Sequence, residues 1–144
     1  MFARLTASVV PFAAVRCVEL GERYFRSLGV TRQKSAYCVH LAQTIAERQL
    51  NLTAVGRMSD ADAKATLMQV TGIGPWTADI YLLMALRRPD VWPAGDLALL
   101  TSLGKLKRLR ERPAPADAVR IAERWKPFRS VAARMLWQHY LAGM

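Results

Sequence analysis

The sequence predicts an all-α fold, built around two helices that a tight glycine hairpin joins. Apolar residues recur at helical spacing through most of the 144 residues, whereas the alternation typical of β-strands is missing. Short turns containing glycine and proline separate the helical patterns. By length the chain, residues 1–144, is a single helical domain that can bury a hydrophobic core.

Seven helices are predicted in order along the chain from this periodicity. They cover about residues 16–28, 33–48, 60–70, 75–87, 97–108, 115–125 and 128–141. The first fifteen residues resemble a signal peptide only faintly, because Pro11 breaks the apolar run and no convincing cleavage site follows. Since the first predicted helix begins at about residue 16, we expect the fold to begin just before it. No stretch of the sequence is long enough to span a membrane.

The helices at about 60–70 and 75–87 are the best marked at their ends. Ser59 or Asp60 can cap the first of them, and Gly72 can take a positive φ after it ends. Pro75 suits the first position of the second helix, since that position needs no N–H donor. The pattern over residues 60–87 is therefore helix, glycine hairpin, helix.

This hairpin can bind a phosphate group. Backbone N–H groups between Gly72 and Trp76 lie at the positive end of a helix dipole. Because Gly72 and Gly74 carry no Cβ, a DNA backbone can come close to them. We expect a bulkier residue at either glycine to weaken DNA binding more than it disturbs the fold.

The charge balance favours an anionic partner. The net charge is +10, and five basic residues fall within eight positions. They are Lys105, Lys107, Arg108, Arg110 and Arg112. This run is either a solvated surface or a patch that follows phosphates.

Cysteine and histidine do not indicate a metal centre. Cys17 and Cys38 are expected to be reduced thiols, and the four closely spaced cysteines that an iron–sulfur cluster needs are absent. His40 and His139 lack metal-ligand spacing and are interpreted as structural or surface residues.

Asp96 is the candidate catalytic carboxylate. It ends a loop at about residues 88–96 and precedes the next helix, so an ordinary N-cap is one interpretation. The hairpin upstream favours a chemical role for this carboxylate instead. Asp79, about one turn into the helix that begins at Pro75, competes with it, but the helix dipole or a surface position explains Asp79 adequately.

Three segments resemble the helix-hairpin-helix DNA glycosylases, and most closely the branch that removes 3-methyladenine and other alkylated bases. Residues 72–78 (GIGPWTA) match the hairpin signature, and residues 92–96 (WPAGD) match the loop that carries the family's catalytic Asp. Residues 122–130 (AERWKPFRS), followed by Ala133 and by Leu136-Trp137, match a third family segment. The resemblance covers about residues 28–140. The sequence shows no counterpart of the family's N-terminal segment. We therefore expect the chain to be N-terminally truncated relative to the family.

The resemblance implies roles for the tryptophans and for Asp96. Asp96 is expected to be catalytic. Trp76 stands where relatives that also cut the strand carry a lysine, and indole cannot form a Schiff base, so a monofunctional enzyme is implied. Trp76 and Trp137 would line the base pocket, with core packing as the alternative, whereas Trp92 and Trp125 are interpreted as packing residues.

The resemblance also implies the ligands and the partner. The expected DNA-binding residues are Gly72, Ile73, Gly74 and Thr77. Backbone carbonyls of Met68, Val70 and Ile73 are expected to hold a structural K⁺ or Na⁺, and no other cofactor is implied. The partner is double-stranded DNA containing damaged bases, with no membrane, and the protein is expected to be a monomer. It would act in the cytoplasm at the nucleoid of a bacterium, or in the nucleus of a eukaryote.

Three functions follow from these patterns. The first is a monofunctional DNA glycosylase that hydrolyses the N-glycosidic bond of alkylated purines in base excision repair. The second is a non-catalytic DNA-binding helix-hairpin-helix fragment. The third is a helical interaction protein. The presence of Asp96 disfavours the second function, and the basic charge disfavours the third.

Overall fold

The computed structural model describes residues 2–143, and within them the regular structure is entirely helical. This confirms the all-α fold. The chain forms two compact units, one that ends at Ile73 and one that begins at Gly74, so the boundary falls inside the predicted hairpin. The single domain expected from length stays a prediction.

The first unit packs two long helical segments against each other, and the first of them is kinked at Gly21, where φ is +68°. Its five helices are α1 (Phe2–Ser8), α2 (Ala14–Ser27), α3 (Arg32–Ala46), α4 (Leu52–Val55) and α5 (Asp60–Met68). Phe25 of α2 and Val39 of α3 are buried in one apolar cluster with Val9 and Val30. Burying this surface supplies most of the stability of helices that are too short to persist alone.

Polar caps begin three of these helices. Thr31 Oγ1 accepts a hydrogen bond from the backbone N–H of Lys34, and Asn51 Oδ1 accepts one from Ala54. Ser59, one of the two caps predicted for α5, accepts from the N–H of Asp62 at 3.1 Å. These caps satisfy donors that the first turn of a helix leaves unpaired.

Sequence periodicity did not predict two helices of the first unit. The α1 helix lies in the segment where no helix was expected, and it ends just before Val9, which is fully buried. The α4 helix is a single turn. Such short segments show no clear period, and tertiary packing rather than propensity stabilises them. Within residues 2–143, no helix combines the length and apolar character needed to cross a lipid bilayer.

The second unit contains four α-helices, and α7 packs against α9. They are α6 (Pro75–Ile80), α7 (Leu97–Leu106), α8 (Pro115–Ala122) and α9 (Arg129–Ala142). A π-helical segment, Tyr81–Ala85, continues α6, and a 3₁₀ turn, Glu123–Trp125, follows α8. The helix predicted at 75–87 is therefore wound more widely in its second half, with the N–H of Leu86 donating to the carbonyl of Tyr81 at 3.1 Å.

The wider winding changes which residues of this helix face inward. Ala78, Leu82 and Leu83 are buried, whereas Met84 is 47% exposed. Asp79 is also buried, at 6% exposure, so the interpretation of Asp79 as a surface residue was wrong.

The two hairpin glycines differ in what surrounds them. Gly72 has φ +95°, and a Cβ there would lie 2.4 Å from Cγ of Tyr37. Gly74 has φ −88° as the N-cap of α6, and a Cβ there would meet no atom within 4 Å. A bulkier residue at Gly72 would therefore disturb the fold itself, and whether it would weaken DNA binding more than the fold stays a prediction.

Gly72→Ala should destabilise the protein, whereas Gly74→Ala should not. The first change adds steric overlap with Tyr37 to an unfavourable φ, and we expect it to lower the free energy of unfolding by about 2 kcal/mol or more. The second change is expected to stay within about 0.5 kcal/mol, because a weaker N-cap is offset by reduced freedom of the unfolded chain. Urea unfolding curves compare them, and equal midpoints would contradict the contact with Tyr37.

Candidate functional site

Asp96 occupies the N-cap of α7. Its Oδ1 accepts a hydrogen bond of 2.9 Å from the backbone N–H of Leu99, and its own N–H donates to the carbonyl of Pro93 at 3.0 Å. Asp96 is only 8% exposed. The interpretation of Asp96 as an N-cap is therefore correct. The backbone turn after Pro93 places the carboxylate at the first turn of α7.

Two indole N–H groups also bind this carboxylate. Nε1 of Trp76 donates to Oδ2 of Asp96 at 2.9 Å, and Nε1 of Trp137 donates to Oδ1 at 3.1 Å. The structure thus brings together the three residues singled out for catalysis and the base pocket, from α6, α7 and α9. An N-cap and a chemical site can share one side chain, because the carboxylate has enough lone pairs for both.

The rings of the two site tryptophans remain accessible although their N–H groups are engaged. The residue Trp76 is 49% exposed, and Trp137 is half-buried. An exposed indole anchored at one end can present its face to a flat ligand.

Trp92 and Trp125 are packing residues, as the sequence indicated. Trp92 is 7% exposed and its ring lies 5.6 Å from the ring of Trp125, between centroids. Within residues 2–143, Nε1 of Trp92 has no hydrogen-bond partner, in contrast to the indoles that contact Asp96.

Arg129 fixes the other end of the loop that carries Asp96. Its Nε lies 2.7 Å from Oδ1 of Asp90, and its Nη2 lies 3.0 Å from Oδ2. Nη2 also donates to the backbone carbonyl of Asp90 at 3.1 Å. This two-pronged pair is the strong geometry for guanidinium and carboxylate. Hydrogen bonds from the Arg129 side chain hold the pKa of Asp90 below its ordinary value.

Ser130 adds a second connection between this loop and α9. Its Oγ donates to the carbonyl of Arg88 at 2.6 Å and accepts from the N–H of Val91 at 2.9 Å. Its backbone N–H donates to the carbonyl of Pro89 at 3.0 Å. Because Trp137 lies on α9, these bonds fix the loop of Asp96 and the helix of Trp137 as one structure.

The hydrogen bonds from Arg129 and Ser130 to residues 88–91 form a clamp on this loop. The sequence identified residues 122–130 as a matching segment but did not predict the clamp. Asp90 was not considered at all, and it lies 39 positions from Arg129. A pairing at that separation has no local signal in a single sequence.

The hairpin residues predicted to bind DNA lie at the surface. Gly72, Gly74 and Thr77 are exposed, and Ile73 is half-buried. The N–H of Ile73 donates to the carbonyl of Val70 at 3.0 Å, which closes the turn after α5.

Neither histidine nor cysteine forms a metal site in the described part of the chain. Residues 2–143 contain no group of three or more potential ligands among His, Cys, Asp and Glu. Nδ1 of His139 lies 2.7 Å from Oγ of the fully buried Ser102, which supports a structural role for this histidine. Cys17 is buried and Cys38 is exposed, and both are free thiols whose pKa values burial raises.

The chain is similar to known DNA-3-methyladenine glycosylases. It is 31% identical over 120 residues to the putative DNA-3-methyladenine glycosylase YfjP of Bacillus subtilis, covering 83% of this chain and 42% of that protein. It is 32% identical over 109 residues to the DNA-3-methyladenine glycosylase of B. subtilis, covering 76% and 36%. The chain therefore spans less than half the length of both curated relatives. No protein-family model matches it.

A solved structure shares its backbone arrangement. The 3-methyladenine DNA glycosylase Mag1 of Schizosaccharomyces pombe, in complex with abasic DNA, matches with a TM-score of 0.80 and 28% identity. The match covers 88% of this chain and 62% of that one.

Asp90→Asn should lower stability in a way that depends on pH. At neutral pH we expect a loss of about 1–2 kcal/mol, because the ionised partner of Arg129 is removed. The folded-state pKa of Asp90 is lowered, so its contribution is complete above the unfolded pKa of about 4 and is lost as the pH falls through the folded value. The difference in free energy of unfolding between wild type and variant should therefore shrink in acid.

Asp117→Asn is the matched control for this pH series. Asp117 pairs with Arg120 on the surface, where the Arg120 side chain is 79% exposed. Its loss should change the free energy of unfolding by less than about 0.5 kcal/mol at neutral pH. If the two variants gave the same values, the clamp would not stabilise the loop.

Proposed function

We propose that this chain, which belongs to the helix-hairpin-helix DNA glycosylases and is a homologue of the DNA-3-methyladenine glycosylases, hydrolyses the N-glycosidic bond of alkylated purines in double-stranded DNA. The observation that carries the proposal is the carboxylate of Asp96, which three N–H donors hold between two accessible indole rings. The product would be a free base and an abasic site in an uncut strand.

Asp96 would act on the sugar of a nucleotide that has left the base stack. Breaking the bond between C1′ and the base leaves positive charge on the sugar, which a nearby carboxylate stabilises. An ionised carboxylate offers about four lone-pair directions. Oδ1 of Asp96 accepts two hydrogen bonds and Oδ2 accepts one, so the remaining direction belongs to Oδ2. Oδ2 is therefore the atom that would face C1′ or the attacking water.

The tryptophans would recognise the damaged base. Alkylated purines carry positive charge, and the face of an indole attracts cations. A cationic base is also a good leaving group, so no strong general acid is required. Trp76 and Trp137 would then have two tasks: their N–H groups position Asp96, and their rings contact the base. Since Trp76 offers no amine, the sugar would form no Schiff base.

The hairpin would hold the DNA backbone near this site. We include in the proposal a monovalent cation, bound by the carbonyls of Met68, Val70 and Ile73, that would add positive charge opposite a phosphate. The Val70 carbonyl already accepts one hydrogen bond from Ile73. Because a carbonyl oxygen has two lone pairs, one remains on Val70 for a cation, which supports this part of the proposal.

A second function is a non-catalytic DNA-binding module. The observation that favours it is the exposed hairpin, where Gly72, Gly74 and Thr77 could contact a phosphate without any chemistry at Asp96. Such a module would bind DNA through the hairpin but release no base, so an assay of base release separates the two functions.

Asp96→Asn should lower the release of methylated purines from alkylated DNA by roughly 100-fold or more, because the stabilising negative charge is lost. DNA affinity should stay equal or rise. The variant should also lose stability. In either orientation of the amide, its NH₂ would face at least one N–H donor of Leu99, Trp76 or Trp137, where the carboxylate accepted hydrogen bonds.

The variant Asp96→Asn combined with Trp76→Phe separates chemistry from stability. Removing the indole N–H lets the amide NH₂ occupy the position of Oδ2 without opposing another donor. The double variant should therefore recover stability relative to Asp96→Asn alone while remaining inactive. Glu22→Gln, an exposed carboxylate of α2, is the activity control. Full base release by either Asp96 variant would show that Asp96 is not catalytic.

Gly74→Val should weaken DNA binding in a protein that still folds. A Cβ there meets no protein atom within 4 Å, so the valine side chain would extend into the space that an approaching phosphate needs. We expect a loss of several-fold in affinity for duplex DNA, with a circular dichroism spectrum like that of wild type. An unchanged affinity would mean that the hairpin does not contact DNA.

A further inference from the structure

The basic run identified in the sequence forms a defined surface in the second unit. It begins in the last turn of α7 and continues through the loop that precedes α8. We call it the basic ridge, and it consists of Lys105, Lys107, Arg108, Arg110 and Arg112. All five residues are exposed, and within residues 2–143 none of them forms a salt bridge.

The ridge starts from a strained turn. Arg108 has φ +51°, a left-handed conformation that costs a side chain free energy and that glycine usually fills after a helix. The N–H of Leu109 donates to the carbonyl of Gly104 at 3.0 Å, in the pattern of a Schellman cap. An arginine at this position lowers stability, and it adds one more exposed positive charge to the ridge.

The turn is packed against the helix rather than loose. A Cβ on the buried Gly104 would lie 3.3 Å from Cδ of Pro113, so the end of the loop lies directly on α7. The ridge side chains are therefore presented by an ordered backbone, which reduces the entropy lost when they bind a ligand.

A positively charged cleft lies beside the ridge. Its volume is about 630 Å³, and its lining includes Lys107, Arg120 and Arg124. The acidic residue that lines it is Asp117, which pairs with Arg120. The ridge and this cleft together present more positive than negative charge, which suits a chain of phosphates.

The ridge lies at the opposite end of α7 from Asp96. The helix has 10 residues, so its two ends are about 15 Å apart. B-DNA rises 3.4 Å per base pair, and 15 Å corresponds to roughly four or five base pairs. A duplex with its damaged nucleotide at Asp96 could therefore reach the ridge with its flank.

We infer that the basic ridge is a second DNA-binding surface, which holds the phosphate backbone of the duplex on one side of the damaged nucleotide. This inference rests on the proposed function, since it takes duplex DNA as the partner. It differs from the hairpin contact in its residues and in its distance from Asp96. Its ligand is the sugar-phosphate backbone, so binding there does not depend on base sequence.

Arg108→Gly and Arg48→Gly form a matched pair that tests the ridge. Arg48 has φ +61° after α3, and the N–H of Gln49 donates to the carbonyl of Thr44 at 3.0 Å, so the same strained cap occurs in the first unit. Each change removes one exposed charge and relieves the strain, and the melting temperature should rise by about 2 °C in both variants. Only Arg108→Gly should lose DNA affinity, by about two- to fivefold at low salt.

A triple variant measures the number of phosphate contacts. We compare Lys107→Gln, Arg110→Gln and Arg112→Gln, combined in one chain, with Arg4→Gln, Arg23→Gln and Arg26→Gln, combined in another. The control residues are exposed cations of α1 and α2, so both chains lose the same net charge. Each lost phosphate contact lowers the slope of log affinity against log salt by about 0.9, so the ridge variant should lose about 2–3 in slope and the control close to none.

The probes are duplexes that carry one abasic-site analogue, with flanks of about 10 base pairs or with one flank cut to about 3 base pairs. Wild type should lose affinity when the flank on one side is cut, and the ridge triple variant should not respond to that cut. If the ridge and control variants had equal affinities and slopes, the ridge would not bind DNA. If wild type bound none of the duplexes, both the ridge inference and the proposed function would fail. If wild type bound DNA and released bases in an Asp96-dependent way, the proposed function would stand whatever the ridge variants show.

Discussion

The carboxylate of Asp96 holds three segments of the second unit together through the hydrogen bonds that it accepts. It accepts one hydrogen bond from the backbone of α7 and one from each of two indoles, on α6 and α9. These bonds join three separate segments at a single side chain. The same group therefore starts a helix and holds two aromatic rings in place, and in the proposed function it would provide the charge that glycoside hydrolysis needs. A single substitution of Asp96 therefore changes structure and chemistry together.

The loop before Asp96 explains why this arrangement is stable. Arg129 and Ser130 bind the backbone and side chains of residues 88–91, and they begin the helix that carries Trp137. An acceptor and a donor that meet across 41 positions must be brought to within 3.1 Å, and a loose loop would lose that geometry. The clamp supplies this order from outside the site, so in the proposed function the residues that would contact DNA are free to serve recognition.

Local chemistry made part of this structure predictable, and long-range contacts account for the rest. Ser59, Pro75 and Asp96 mark helix starts through preferences that act within a few residues, and each lies where the sequence placed it. The burial of Asp79 and the contact between Gly72 and Tyr37 depend on packing between distant segments. Trp76 and Trp137 could be named from the family resemblance, but that resemblance gave no indication that their N–H groups would meet on one carboxylate.

The two carboxylates at the ends of this loop have opposite kinds of partner. Asp90 is paired with a guanidinium, so its charge is neutralised and its task is structural. Asp96 is held by neutral N–H donors, and within residues 2–143 no lysine or arginine forms a salt bridge with it. A cation at Asp96 would fix its position equally well but would cancel the field that a positively charged sugar has to experience. Indole N–H groups fix the position and leave the charge, which is the combination that a glycosylase carboxylate needs.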